Sequence, residues 1–82
     1  MIVVIAADKA EYYAFIRALK LEERKYPFID HQRQLLSVER NTEFVVLREH
    51  PICSYLRMCA VERGLVEITV PEFLQRYNFK RL

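Results

Sequence analysis

An 82-residue chain has room for one domain with one core, and a second domain is excluded. With 52% apolar and 29% charged residues it is composed as a folded globule, which excludes a disordered chain. The net charge is +2: seven basic residues face six acidic ones up to Asn41, and six face five beyond it, so neither half carries the clear basic stripe of a dedicated nucleic-acid binder.

Met1-Ile2-Val3-Val4-Ile5-Ala6-Ala7-Asp8 opens the chain with an apolar run and no basic residue ahead of it. The run is too short for a signal-peptide core or a bilayer span, so neither export nor a membrane partner is expected. Ile2 to Ala6, rich in β-branched residues, reads as a strand buried on both faces, the mark of a central parallel strand. Asp8 follows it and stands three residues before Glu11, the spacing of a capping box. Tyr12, Phe15, Ile16 and Leu19 then recur at helical spacing, with Arg17 and Lys20 off that stripe. This is a strand, a capped turn and an amphipathic helix in succession.

The run Glu22-Glu23-Arg24-Lys25 closes the helix, and Tyr26 to Asp30 reads as a second strand that Pro27 confines to an edge or a strand start. From His31 to Asn41 a helical turn and a short strand at Leu35 to Val38 are both open. Phe44 to Leu47 is a third, continuous apolar strand. Pro51 suits the first position of a second helix, whose seam is expected at Ile52, Tyr55, Leu56 and Cys59. Gly64, the only glycine, stands where a left-handed C-terminal cap belongs. Leu65 to Val70 reads as a fourth strand with one face toward water, and Pro71-Glu72 opens a C-terminal helical segment over 70–82.

The order is β-α-β-β-α-β-α, or β-α-β-α-β-α with a helical middle segment. It predicts an α/β fold over residues 1–82, with a mostly parallel four-stranded sheet and two or three packed helices in two or three layers. The opening strand, the helix start Lys9-Ala10-Glu11-Tyr12, the strand Phe44-Val45-Val46-Leu47 and the closing segment Gly64 to Phe73 together resemble small Rossmann-like proteins encoded by bacteriophages. The resemblance is one of layout, in a group largely without assigned activities. It implies a minimal Rossmann-like fold and a phage origin, with host cytoplasm as the location.

The chemistry expected of nucleotide-binding α/β domains is missing. The turn after the first strand reads Ala6-Ala7-Asp8-Lys9, without the glycines that let a backbone approach phosphate, and Asp8 opposes an anion at the helix N-terminus. There is no Walker A sequence and no GxGxxG. In open α/β sheets, ligands bind beyond the carboxyl ends of strands where the strand order reverses. With strand order 2-1-3-4 that crevice is expected to be lined by Asp8, Lys9, Arg48, His50 and Cys53. Cys53 near a helix N-terminus, with His50 as its base, would make a thiol nucleophile. The commoner role of a free cysteine is a small core filler, and that is the expectation adopted for Cys53.

No metal set or cofactor motif is present: His31 and His50 are far apart in sequence, and Cys53 and Cys59 do not have ligand-pair spacing. On one helix those two cysteines lie about 9 Å apart along the axis, too far for a disulfide, which points to a reducing compartment and a cytoplasmic location.

Two further surfaces remain. Tyr12, Tyr13 and Phe15, with Arg17, Lys20, Arg24 and Lys25, could serve nucleic acid, although such aromatics are usually core. Met58 and Val61 lie off the seam of the second helix, and Phe73, Leu74, Tyr77 and Phe79 follow in the tail. Either the tail covers the helix, or these six residues form an interface, and the interface is the expectation. A domain this small buries only roughly two-thirds of its unfolded surface, so self-association or a protein partner is expected to supplement its stability. The function expected by elimination is therefore a small non-catalytic protein-binding module, such as a phage accessory protein engaging a host factor. The alternatives are nucleotide or nucleic-acid binding and a thiol-dependent enzyme using Cys53 and His50.

Overall fold

The computed structural model describes residues 1–81, with side chains through Tyr77. Four strands, β1 (Ile2–Ile5), β2 (Phe28–Ile29), β3 (Glu43–Val46) and β4 (Val66–Ile68), form one sheet in the order β2-β1-β3-β4, and every pair is parallel. Three α-helices, α1 (Lys9–Leu19), α2 (Pro51–Glu62) and α3 (Val70–Arg81), pack on it. The open middle segment is a 3-10 helix, Gln32–Ser37. This is an α/β fold of Rossmann-like layout with three layers.

β1 lies in the middle because its run is apolar on both faces: Val3, Val4, Ile5 and the following Ala6 are all fully buried. Alternation sends Val3 and Ile5 to one face and Val4 and Ala6 to the other. The first face is closed by Leu35 and Val38 from the 3-10 segment and by Cys53, Leu56 and Ala60 from α2. The second is closed by Tyr12 and Ile16 of α1 and Phe73 of α3.

The helix ends follow their residues. Asp8 caps α1, its Oδ1 accepting from the Glu11 N–H at 2.9 Å. Lys20 takes the left-handed conformation after α1 (φ 54°), and the Leu21 N–H reaches the Ile16 carbonyl. Pro51 is the first residue of α2. Gly64 (φ 84°) follows its end with both Schellman bonds, Gly64 N–H to Val61 carbonyl and Leu65 N–H to Ala60 carbonyl.

Three expectations need correction. The seam of α2 is Cys53, Leu56 and Ala60, flanked by Ile52 and Cys59, and Tyr55 stands outside it. β4 is shorter than Leu65 to Val70, because Thr69 caps α3: its hydroxyl accepts from the Glu72 N–H, and Glu72 accepts from the Thr69 N–H. The tail covers α1's face of the sheet, leaving α2 uncovered. Phe73 is 2% exposed, Leu74 packs beside it, and the Tyr77 hydroxyl donates to the Leu19 carbonyl. These three expected interface residues are used inside the chain, and the side chain of Phe79 lies outside the described residues.

Candidate functional site

The strand order reverses between β1 and β3, so the expected crevice lies beyond Ile5 and Val46. Protein side chains bridge it. Glu11 reaches back from α1, its Oε1 accepting from the Ala7 N–H at 3.0 Å and its Oε2 lying 2.7 Å from Arg48 Nε. Arg48, the second residue after β3, is thereby tied to the first turn of α1. Asp8 is engaged as the cap, and Arg48 has its carboxylate. Lys9 stands exposed beside them, with no partner among the described residues.

His50 is the N-cap of α2. Its Nδ1 accepts from the Ile52 N–H at 3.2 Å and so serves the backbone. Cys53, one turn into the helix, is fully buried in the core under α2. Burial, then the Glu11 carboxylate, pushes its thiol above the ordinary value of 9.0, against the opposing pull of Arg48 and Arg57. A reactive cysteine needs an accessible thiolate, and this arrangement holds a protonated, enclosed thiol.

A raised pKa means that the folded chain keeps a proton which the unfolded chain releases. The sign is therefore fixed: this contribution is complete below the unfolded thiol's pKa and is lost as pH rises through and beyond it. Tyr12, raised by burial and then by Glu23, adds the same sign at still higher pH. The urea midpoint should fall between about pH 7 and about pH 10, and Cys53→Ala should narrow that fall. In the native state a thiol reagent should reach half-buried Cys59 well before Cys53. Rapid native labelling of Cys53 would contradict the placement.

The outward side of α2 is different in kind. Tyr55, Met58 and Val61 follow at three-residue steps and are 49%, 62% and 54% exposed. Leu36, on the neighbouring 3-10 helix, is 67% exposed. The polar side chains around them are held in place. The Tyr55 hydroxyl donates to Gln32 Oε1 at 2.6 Å, and Arg63 donates to the Leu36 carbonyl at 3.3 Å. Arg57 Nε lies 3.1 Å from Glu67 of β4, and its Nη2 lies 3.6 Å from Glu49. The result is an apolar centre containing Tyr and Met with an arginine-bearing frame.

Met58 and Val61 were expected on this surface; Tyr55 and Leu36 were not. Tyr55 fits the seam spacing as well as it fits the outer face, and Leu36 sits in a segment too short to show a period. Glu11 was expected only as a capping residue, since nothing in the sequence pairs it with Arg48.

No helix among the described residues is long and apolar enough to cross a membrane. Among the same residues, no group of three or more His, Cys, Asp or Glu is placed to hold a metal ion. Comparison with known protein families, curated proteins and solved structures returned no match. The functional reading therefore rests on the chain's own surfaces.

Proposed function

We propose that the chain is a small non-catalytic protein-binding module whose contact surface is the outward face of α2. One observation carries the reading: three large apolar side chains at successive three-residue steps, Tyr55, Met58 and Val61, are 49–62% exposed on a helix whose inner seam is already served by the sheet. The segment that could have covered them, α3, is committed to the opposite face through Phe73. Apolar centres rich in Tyr and Met with arginine nearby are how protein contact surfaces are composed. The bridged crevice and the buried thiol supply no competing small-molecule site. As a phage accessory protein, the origin suggested by the layout resemblance, it would present this face to a host factor.

Contact with a second copy is the form that the chain alone can test. Light scattering at about 100 μM should give a mass above that of the monomer. Met58→Glu with Val61→Glu should return a folded monomer whose melting temperature no longer rises with protein concentration, as that of the self-associating parent should. A full-length chain that stays monomeric, with a double variant no more soluble than the parent, would remove the reading.

A further inference from the structure

On the opposite side of the sheet, α1 carries a second surface of different chemistry. Lys9, Tyr13 and Arg17 follow at four-residue steps, and Lys20 continues the row, spanning about 16 Å. Arg24 follows in the short 3-10 turn Glu23–Lys25. All four cations are exposed, and none has a hydrogen-bond or ion-pair partner among the described residues. Lys25 pairs with Glu22, Arg48 with Glu11, Arg57 with Glu67 and Arg76 with Glu43, while Arg33, Arg40 and Arg63, which also have no carboxylate partner among the described residues, are not part of this row. Beside the row, Ala10, Ala14 and Ala18 are exposed and add no bulk, so a ligand can lie close to the helix.

The aromatic residue in the row is not an isolated surface tyrosine. Phe28 of edge strand β2 stacks on Tyr12, with ring centres 4.8 Å apart and 22° between planes. Tyr12 meets Tyr13 edge-on at 5.2 Å and 63°. Tyr12 is also fixed through its hydroxyl, which donates to the Tyr26 carbonyl at 2.5 Å. This ladder runs from the sheet edge to the surface and ends at Tyr13, between Lys9 and Arg17. An oriented ring among unpaired cations matches what single-stranded nucleic acid offers, a flat base on a chain of phosphates.

We infer that the α1 face binds single-stranded nucleic acid without sequence preference, through phosphate contacts from Lys9, Arg17, Lys20 and Arg24 and base stacking on Tyr13. This function is separate from the α2 contact surface. Asp8 adjoins Lys9, Glu22 and Glu23 adjoin Arg24, and Glu23 is close enough to act on Tyr12, so carboxylates dilute the positive field along this face and the binding is weak and salt-dependent.

The test is fluorescence anisotropy of a labelled oligothymidine of about 20 nucleotides. Three or four phosphate contacts predict a log–log salt slope of about −2 to −3, an affinity about 20- to 50-fold weaker at about 200 mM than at about 50 mM salt. Arg17→Glu with Lys20→Glu should abolish binding at the lower salt. Tyr13→Ala should weaken it about tenfold or more with the salt slope unchanged, and the corresponding duplex should bind less well than the single strand. Met58→Glu with Val61→Glu should bind as the parent does, which separates this site from the contact surface. Circular dichroism melts of each variant establish that it is folded. Absence of binding at low salt, indifference to the charge reversals, indifference to Tyr13→Ala or equal affinity for duplex would each overturn the inference.

Discussion

Replacing Phe73 with alanine should destabilise the chain by about 3–5 kcal/mol, and deleting residues from Pro71 onward should leave it unfolded. A domain of 82 residues has a total stability of about 4–12 kcal/mol at ordinary per-residue values, so either change removes a large share. The effect is large because Phe73 belongs to the core. It lies against Phe15 of α1, with ring centres 5.4 Å apart, and Tyr26 meets it edge-on at 5.6 Å. Without α3, the layer formed by Val4, Val45 and Ile68 keeps α1 as its only helical cover. Urea denaturation followed by circular dichroism reads both variants. A truncated chain that still melts in one sharp transition would mean that α3 is peripheral, the behaviour expected had the tail been a contact surface.

The second large effect is expected at Leu35. Leu35→Ala should cost about 2–5 kcal/mol, whereas Leu36→Ala should fall within about 0.5 kcal/mol of the parent. Leu35 is fully buried and Leu36 is the most exposed of the large apolar residues described. The connection from β2 to β3 must pass from the sheet edge across β1, and it does so in a 3-10 helix of six residues. Leu35 and Val38 are its inward residues, so they alone seal that part of the face. The helix starts firmly: Gln34 Oε1 accepts from the Asp30 and His31 N–H groups at 2.8 and 2.9 Å, while His31 Nδ1 accepts from Arg33. Thermal melts of the two variants test the assignment directly. Equal losses at both positions would mean that Leu36 is covered in solution.

How much could be read without coordinates depended on whether the signal was local. β1, α1, the Asp8 cap, Pro51 and Gly64 were legible because each rests on residues within a few positions of one another. Placing Pro27 at an edge was legible too, since a residue without an N–H cannot serve a central ladder. The middle segment stayed open because a 3-10 helix of this length shows neither a 3.6 period nor a 2.0 period. The seam of α2 was misplaced because Ile52 to Val61 is apolar on several sides, and adjacent rotations of the helix fit almost equally well. Thr69-Val70-Pro71-Glu72 carried a capping box that would have placed the start of α3, and the alternation before it masked the signal. At the candidate site, the bond between Glu11 and Arg48 joins distant parts of the chain, and only the β1–β3 pairing brings them together.

The parallel sheet also sets the order in which the molecule can assemble. Val4 pairs with Phe28, Ile2 with Glu43 and Glu43 with Val66, so no strand pairs with one it could reach through a tight hairpin. Each pairing must close a long loop before any contact rewards it, which makes folding slow for a chain this small. β1 and α1 are made first but depend on what comes later. Val4 waits for β2 and β3, and the seam of Tyr12 and Ile16 waits for Phe73. Until then those side chains remain in water, and that half-built layer is the form in which the nascent chain is most exposed to chaperones and proteases.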